Sequence, residues 1–577
     1  MVFNLQRPAT RLIILLIWLL ISVCSPALAQ TSQAKDPIDE ILSRFARPNM
    51  PGCAASVVLN GSVVVSRAFG LADVENHTEI TPDTRFDLAS MSKQFVAMAV
   101  LKVASEGKLS LTEDVHRYVP ELPSYKWKVT LLDLLHHTSG LKDYVELLYL
   151  AGWRYGDIES SHDVLWALQS QRDLAFEPGT RYSYANANYF LLGLILERVI
   201  HKPIPDVLND LVFGPMGMKA TTLRKDPWRL LDGKKAWPYL ITDGRPSLFM
   251  HVDEAFGDGG VFSTVEDLAR WEQNFNSPEF EPNIISEMQR VLPLRDGTAN
   301  DYAAGLYIRS VHGLRLIEHP GTTAGSQADK LYFPERRLSV IALCNRRDNT
   351  YVELTNQLAS HFLGSNITTE PPKTAHPSSK AALQRLAGFY FSDSAADGVL
   401  IEPRDGAIFD AGTEREFRQT GDWTFQSSPA GTLCRCSTTY AFEFAPDGKV
   451  RGFRATIPSG SGSGTRPVIE YKYMPPAGSA NLEDYVGQYV NDDLAVLWCV
   501  VKKQKALLLR RRAFPDQELR FFWADAVEAP DGILQFERNG ETVSGFSIRE
   551  PRLNSVSFRR LPRGQEPVPA PSYCASE

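Results

Sequence analysis

Hydrophobic and polar residues are spaced differently in three parts of this chain. From about Asp36 to Gly364, strand-like runs at both ends enclose helical stretches. Residues 53–70 read CAASVVLNGSVVVSRAFG, two apolar runs joined at Asn60-Gly61, which predicts a tight hairpin. Near the far end, LRLIEH and the two runs on either side of Pro334-Glu335-Arg336-Arg337 again predict strands. Between them, Lys93 to Glu106 places Phe95, Val96, Met98, Ala99, Leu101 and Val103 at helical spacing. Asn188 to Ile200 predicts a second apolar helix, and Ser263-Thr264-Val265-Glu266 opens a third with a capping-box pattern. Strands at both ends with helices inserted predict an α/β unit: an antiparallel sheet flanked by helices, with a helical subdomain.

The texture changes at the polar, proline-rich run from Glu370 to Ser379, which reads as a linker. Beyond it the pattern is mostly β. Leu386-Ala387-Gly388-Phe389-Tyr390 and Tyr485-Val486-Gly487-Gln488-Tyr489 open two segments of similar length, a weak internal repeat that predicts two small antiparallel barrel-like domains. The run 457–464, rich in Gly and Ser, reads as a flexible loop inside the first. The expected division is a catalytic unit over residues 30–368, a linker over 369–380, barrels over 381–476 and 477–563, and a tail over 564–577.

The first 29 residues stand apart. Arg7 and Arg11 precede an apolar run from Leu12 to Val23, and Ala27-Leu28-Ala29 follows. A basic head, a short apolar stretch and an Ala-x-Ala end predict a secretory signal cleaved after Ala29, with no membrane anchor left afterwards. Cys24 raises a lipoprotein reading, which the bulky Val23 before it disfavours. A periplasmic or secreted location is therefore expected.

Composition narrows the picture only a little. A chain of 577 residues, 44% hydrophobic and 22% charged, has enough apolar residues for several cores. The net charge is -7 with both signs interspersed, which lacks the clustered basic face a nucleic-acid partner needs. Beyond the signal lie Cys53, Cys344, Cys434, Cys436, Cys499 and Cys574, too sparse for a disulfide framework, and spacing does not choose their pairs. Cys434 and Cys436 are one residue apart, unlike a zinc knuckle.

The chemistry is narrowed first by what is missing. There is no G-x-S-x-G elbow, phosphate loop or H-E-x-x-H, so no cofactor or metal is implied. Within the α/β unit, S-x-x-K occurs at Ser90/Lys93 and at Ser139/Lys142, about as often as chance allows. A serine hydroxyl needs a base to take its proton, and three-residue spacing on a helix puts a lysine amine beside it. Ser90 precedes the long apolar helix, whereas Gly140 directly after Ser139 marks a helix end, so Ser90 is the better nucleophile. Tyr184-Ala185-Asn186 offers a proton shuttle and an amide that orients lysine and substrate, although Tyr489-Val490-Asn491 repeats the spacing. In His319-Pro320-Gly321-Thr322, glycine permits close approach to a strand, and a backbone N–H just after it could complete an oxyanion hole with that of Ser90. His136 and His137 read as supports of the neighbouring turn.

Taken in order, Ser90/Lys93, Tyr184/Asn186 and His319/Gly321 resemble the motifs of the serine β-lactamase and penicillin-binding protein superfamily, and the Y-x-N form resembles its class C branch. The blocks LDLLHHTSGL, PGTRYSYANANYFLLG and GGVFSTVEDL extend the likeness over roughly residues 40–363. The resemblance implies an acyl-enzyme on Ser90, proton transfer shared by Lys93 and Tyr184, and substrate positioning by Asn186, His319, Gly321 and Thr322. His319 stands where many relatives carry lysine, a change that keeps a cation only at low pH and resembles D-aminopeptidases and esterases. The implied substrate is a small peptide, amide or ester: a D-amino-acid peptide first, an ester or β-lactam as alternatives, and a non-catalytic binding role last.

Overall fold

The computed structural model describes residues 36–224, 234–251, 255–275, 277, 281–364, 378–427, 438–456, 468–476, 481–523, 525–529, 532–562 and 574. The signal segment with Cys24, most of the proline-rich linker, Cys434, Cys436 and the run 457–464 lie outside the described residues. Among the described residues, no helix is long and apolar enough to cross a membrane.

The predicted hairpin forms as β1 (Cys53–Leu59) and β2 (Ser62–Phe69). Asn60 and Gly61 both take positive φ, 52° and 80°, the two-residue turn whose twist matches the strands it joins. The other strands come from the far end: β3 (Tyr307–Val311), β4 (Leu314–Glu318), β5 (Gly321–Thr323), β6 (Ser326–Phe333) and β7 (Leu338–Cys344). They join in the order β3-β4-β6-β7-β1-β2, with β5 also paired to β6. Cys53 faces Cys344 across β1 and β7, and the two form a disulfide; a second disulfide joins Cys499 to Cys574.

Helices cover both faces of the sheet, and the strand period of two sorts residues between them. Ala54, Ile341 and Leu343 pack into the core that holds α1 (Lys93–Ser105), while Cys53, Ala55, Val57, Val340 and Ala342 pack on the helices Pro37–Ser43 and Thr350–Leu363. The second predicted helix begins two residues early, as α2 (Asn186–Ile200). The third, Val265–Phe275, is capped by Thr264, whose Oγ1 accepts from the Asp267 N–H at 3.1 Å. That corrects the expected Ser263–Glu266 box by one residue. The difference is physical: Ser263 is already paired as the last residue of a short strand, and the Asp267 carboxylate goes to Thr221 and Ala220.

Two closed antiparallel barrels of eight strands each follow. The first runs from Gly388–Ser392 to Val468–Met474 and the second from Gly487–Asn491 to Val556–Arg560, each closing first strand on last. The internal repeat opens each barrel, and its tyrosine has the same task in both. Tyr390 Oη donates to the Leu386 carbonyl at 2.8 Å, and Tyr489 Oη donates to the Tyr485 carbonyl at 2.6 Å. Each bond ties a barrel's first strand to the turn that leads into it.

Candidate active site

Ser90 sits in a 3₁₀ turn, Ala89–Ser92, that runs directly into α1. Residues at a helix start have N–H groups with no acceptor inside the helix, which leaves the Ser90 N–H available to a developing oxyanion. Ala89, just before it, has φ 48°, a strained value for a residue with a Cβ. Its N–H donates to Asp87 Oδ1 at 2.8 Å, and its side chain is buried, so the surroundings hold the turn.

One turn on, Lys93 is fully buried. Its Nζ lies 3.1 Å from Ser90 Oγ, 2.9 Å from Asn186 Oδ1 and 2.7 Å from the Asp258 carbonyl oxygen. The amide oxygen and the main-chain carbonyl oxygen can only accept, so they take two of the lysine's N–H bonds. The remaining tetrahedral direction points at Ser90 Oγ. That is the arrangement a general base needs.

Tyr184 and Asn186 come from the start of α2. The Tyr184 ring centre is 5.0 Å from Lys93 Nζ, and its hydroxyl is buried beside that of Ser90. Burial pushes its pKa up, and the neighbouring Ser90 hydroxyl only partly opposes this, so the group is a phenol rather than a phenolate. A phenol can donate a proton. Asn186 Nδ2 donates to Asp143 Oδ2 at 3.1 Å, which fixes the amide with its oxygen on Lys93. Asp258 is buried too, and burial pushes its carboxyl up to about 6 against the pull of Lys93.

The third motif forms the opposite wall. β4 and β5 share one register along β6, Glu318 with Leu331 and Gly321 with Ala328, but the pairing lapses at His319 and Pro320. Proline has no N–H to give a ladder. β5 then passes so close to the nucleophile's turn that a Cβ on Gly321 would lie 2.1 Å from the Leu88 carbonyl oxygen. Thr323 and Ser326 close the two-residue turn between β5 and β6, so the antiparallel alternation directs the Thr322 N–H away from β6, to the outer edge.

His319 is buried behind this edge. Its Nδ1 donates to its neighbour's carbonyl, Pro320 O, at 2.8 Å, and its Nε2 accepts from Tyr302 Oη at 2.9 Å. Burial, with Lys93 nearby, pushes its pKa down to about 3. The low-pH cation expected from the motif is therefore absent at any ordinary acidity. His137 packs between Tyr184, Tyr189 and Tyr302, and its Nδ1 accepts from Asn188 Nδ2 at 2.9 Å, while His136 bonds the Tyr302 carbonyl. Both histidines brace the site from behind.

The rival motifs fall away. Ser139 Oγ donates to Asn188 Oδ1 at 2.6 Å inside the core, and Tyr489 and Asn491 bond main-chain carbonyls of the second barrel. Sequence reasoning missed Asp143, Asp258 and Tyr302. Asp143 did carry a local signature, since it caps the helix Tyr144–Leu150 by accepting from the Val145 N–H at 3.2 Å. Its bond to Asn186 had none.

Comparison with known proteins identifies the family to which the chain belongs. The family model described as Beta-lactamase matches residues 38–362. A D-aminopeptidase of Cereibacter sphaeroides is 28% identical over 389 residues, covering 66% of this chain and 69% of that protein. One from Brucella anthropi is 29% identical over 296 residues, covering 51% of this chain and 56% of that protein. Among solved structures, the octameric penicillin-binding protein homologue from Pyrococcus abyssi superposes with a TM-score of 0.52 at 19% identity, covering 82% of this chain and 96% of that one. At that identity the likeness is one of fold.

Proposed function

This chain is a serine hydrolase of the Beta-lactamase family, and from that premise we propose that it is an exported peptidase or amidase acting through an acyl-enzyme on Ser90, on peptides that contain D-amino acids. The observation that carries the mechanism is the placement of Lys93 Nζ 3.1 Å from Ser90 Oγ, with two obligate acceptors turning it toward the serine. Lys93 takes the Ser90 proton as Oγ attacks the substrate carbonyl. The N–H groups of Ser90 and Thr322 receive the oxyanion. The Tyr184 phenol gives its proton to the departing amine and is reprotonated from Lys93, and water then releases the acyl group by the reverse path.

The D-peptide reading draws on the D-aminopeptidase relatives and on His319. A neutral imidazole supplies no charge for a substrate carboxylate at that position, which disfavours a β-lactam. The same neutrality favours a second reading, a carboxylesterase, since acyl transfer from an ester needs no cation there. The deciding experiment is a substrate panel: D- and L-alanine p-nitroanilide, a D-Ala-D-Ala peptide, nitrocefin and p-nitrophenyl esters. Cleavage of a D-amide in preference to its L isomer is expected. Turnover of esters alone would remove the peptidase reading.

The state of His319 gives a further expectation. Its pKa of about 3 keeps it uncharged across the working range, so His319→Gln should leave the midpoint of the acid limb of the pH–rate profile unchanged. The rate itself should fall about tenfold as the bond to Tyr302 is lost. A limb that disappeared in this variant would show that the imidazole titrates in catalysis.

A further inference from the structure

The second barrel touches the active site. The turn between its last two strands, Thr542–Arg549 and Val556–Arg560, is folded by Glu550, whose Oε2 accepts from the N–H groups of Arg552 at 2.7 Å and Leu553 at 3.0 Å. It is pinned to the catalytic domain at several points. Ser183 Oγ donates to the Pro551 carbonyl at 3.3 Å, Asn554 Nδ2 donates to the Ala175 carbonyl at 3.1 Å, and the Asp143 N–H donates to the Arg552 carbonyl at 3.2 Å. The Arg552 guanidinium then reaches Asp143 Oδ2 at 3.4 Å and Glu146 Oε1 at 3.8 Å, and lies 5.5 Å from the Tyr184 ring centre.

We propose that Arg552 is a positioning residue for the acylation step, supplied by the second barrel: it holds the Asp143 carboxylate ionised, so that Asn186 keeps its oxygen on Lys93. The inference rests on the reading of Ser90 and Lys93 as nucleophile and base. An amide has one end that only donates and one that only accepts. A carboxylate at Nδ2 therefore fixes Oδ1 on Lys93, as observed, with bonds of 3.1 and 2.9 Å. A protonated Asp143 no longer imposes that polarity, and a turned amide would set two donors face to face.

Complete burial drives a carboxyl toward its neutral form. Asp143 is fully buried, and its pKa is raised by that burial, with Arg552 the largest opposing influence. The charged and titratable groups facing it come from several elements. Arg552 and Glu550 lie on the barrel turn, Glu146 on its own helix, Lys93 on α1, Tyr184 before α2, and Asp258 before the strand Val261–Ser263. Without Arg552, the hydrogen bonds from Val145 and Asn186 and the nearby Lys93 are what remain to oppose burial.

The sign follows. A group whose affinity for protons rises titrates at higher pH, so acylation should fail earlier on acidification. The test uses the full chain and a fluorophosphonate probe, with the rate of Ser90 labelling followed by mass spectrometry from pH 4 to 9. In Arg552→Gln the acid midpoint should rise by about one pH unit or more. Arg552→Lys should return it close to the wild-type value, and Asp143→Asn should remove that limb. Asp258 titrates nearby, at about 6, and an acid limb that survives Asp143→Asn at the wild-type midpoint belongs to it and overturns the proposal. An unmoved midpoint in Arg552→Gln overturns it as well. Should Arg552→Gln fail to fold, the Lys and Asn variants decide by the same criteria. A wild-type chain that is not labelled at Ser90 overturns the nucleophile assignment and, with it, this proposal.

Discussion

A chain carrying Ser90→Ala is expected to fold as the wild type does and to lose about four orders of magnitude or more in kcat, together with all covalent labelling. The substitution removes one oxygen from a partly exposed position at the start of α1 and disturbs no core contact. It deprives Lys93 Nζ of the partner at 3.1 Å while leaving Asn186 and the Asp258 carbonyl in place. Effects of residues that act as one unit are not additive. Lys93→Met should therefore cost almost as much alone, and combining the two should add little. Turnover of any panel substrate and fluorophosphonate labelling, with an unchanged thermal midpoint, check this. Activity within tenfold of wild type in Ser90→Ala would place the chemistry elsewhere.

The second large effect is expected from the smallest change. Gly321→Ala adds one methyl group where the Leu88 carbonyl oxygen already lies 2.1 Å away. That oxygen also accepts from the Met91 N–H at 3.1 Å, so it cannot retreat without unwinding the turn that carries Ser90. β5 must move instead, and the Thr322 N–H moves with it. Losing one oxyanion donor costs about 10²–10³-fold in kcat. Overpacking of this kind costs about 1–3 kcal/mol of stability. The kinetic loss should thus far exceed the loss of thermal midpoint, measured on the same preparation. Equal activity in Gly321→Ala would mean that the edge of β5 takes no part in the reaction.

These two residues illustrate how much of the site the amino-acid order carries. Ser90, Lys93, Tyr184, Asn186 and Gly321 belong to short motifs whose spacing puts them on helix starts and a strand edge, and the structure brings all five together. The repeat opening the barrels was legible for a similar reason: its tyrosine bonds a carbonyl four residues back, within the pattern itself. Asp143, Tyr302 and Arg552 were not legible. Their roles come from contacts between separate elements, Arg552 with Asp143 at a separation of 409 residues and Tyr302 with His319 at 17, which no local pattern encodes. The pairing of Cys53 with Cys344 was hidden for the same reason, since it depends on β1 lying beside β7. The charge state of His319 was misjudged because burial, which sequence does not show, outweighs an imidazole's ordinary affinity for protons.

The placement of β1 also governs the order in which this chain can be made. β1 pairs with β2 at once, but its other neighbour, β7, ends at Cys344, and the two cysteines are 291 residues apart. Until that last strand is available, the centre of the sheet stays open and the helical subdomain has no completed layer to pack on. Closing so long a loop before its contacts form is slow. Each barrel, by contrast, is a meander in which every strand pairs with the next, and it can zip up locally as it is synthesised. The catalytic half is thus the kinetically exposed part, at risk of aggregation through its unpaired β1 edge until residue 344 arrives.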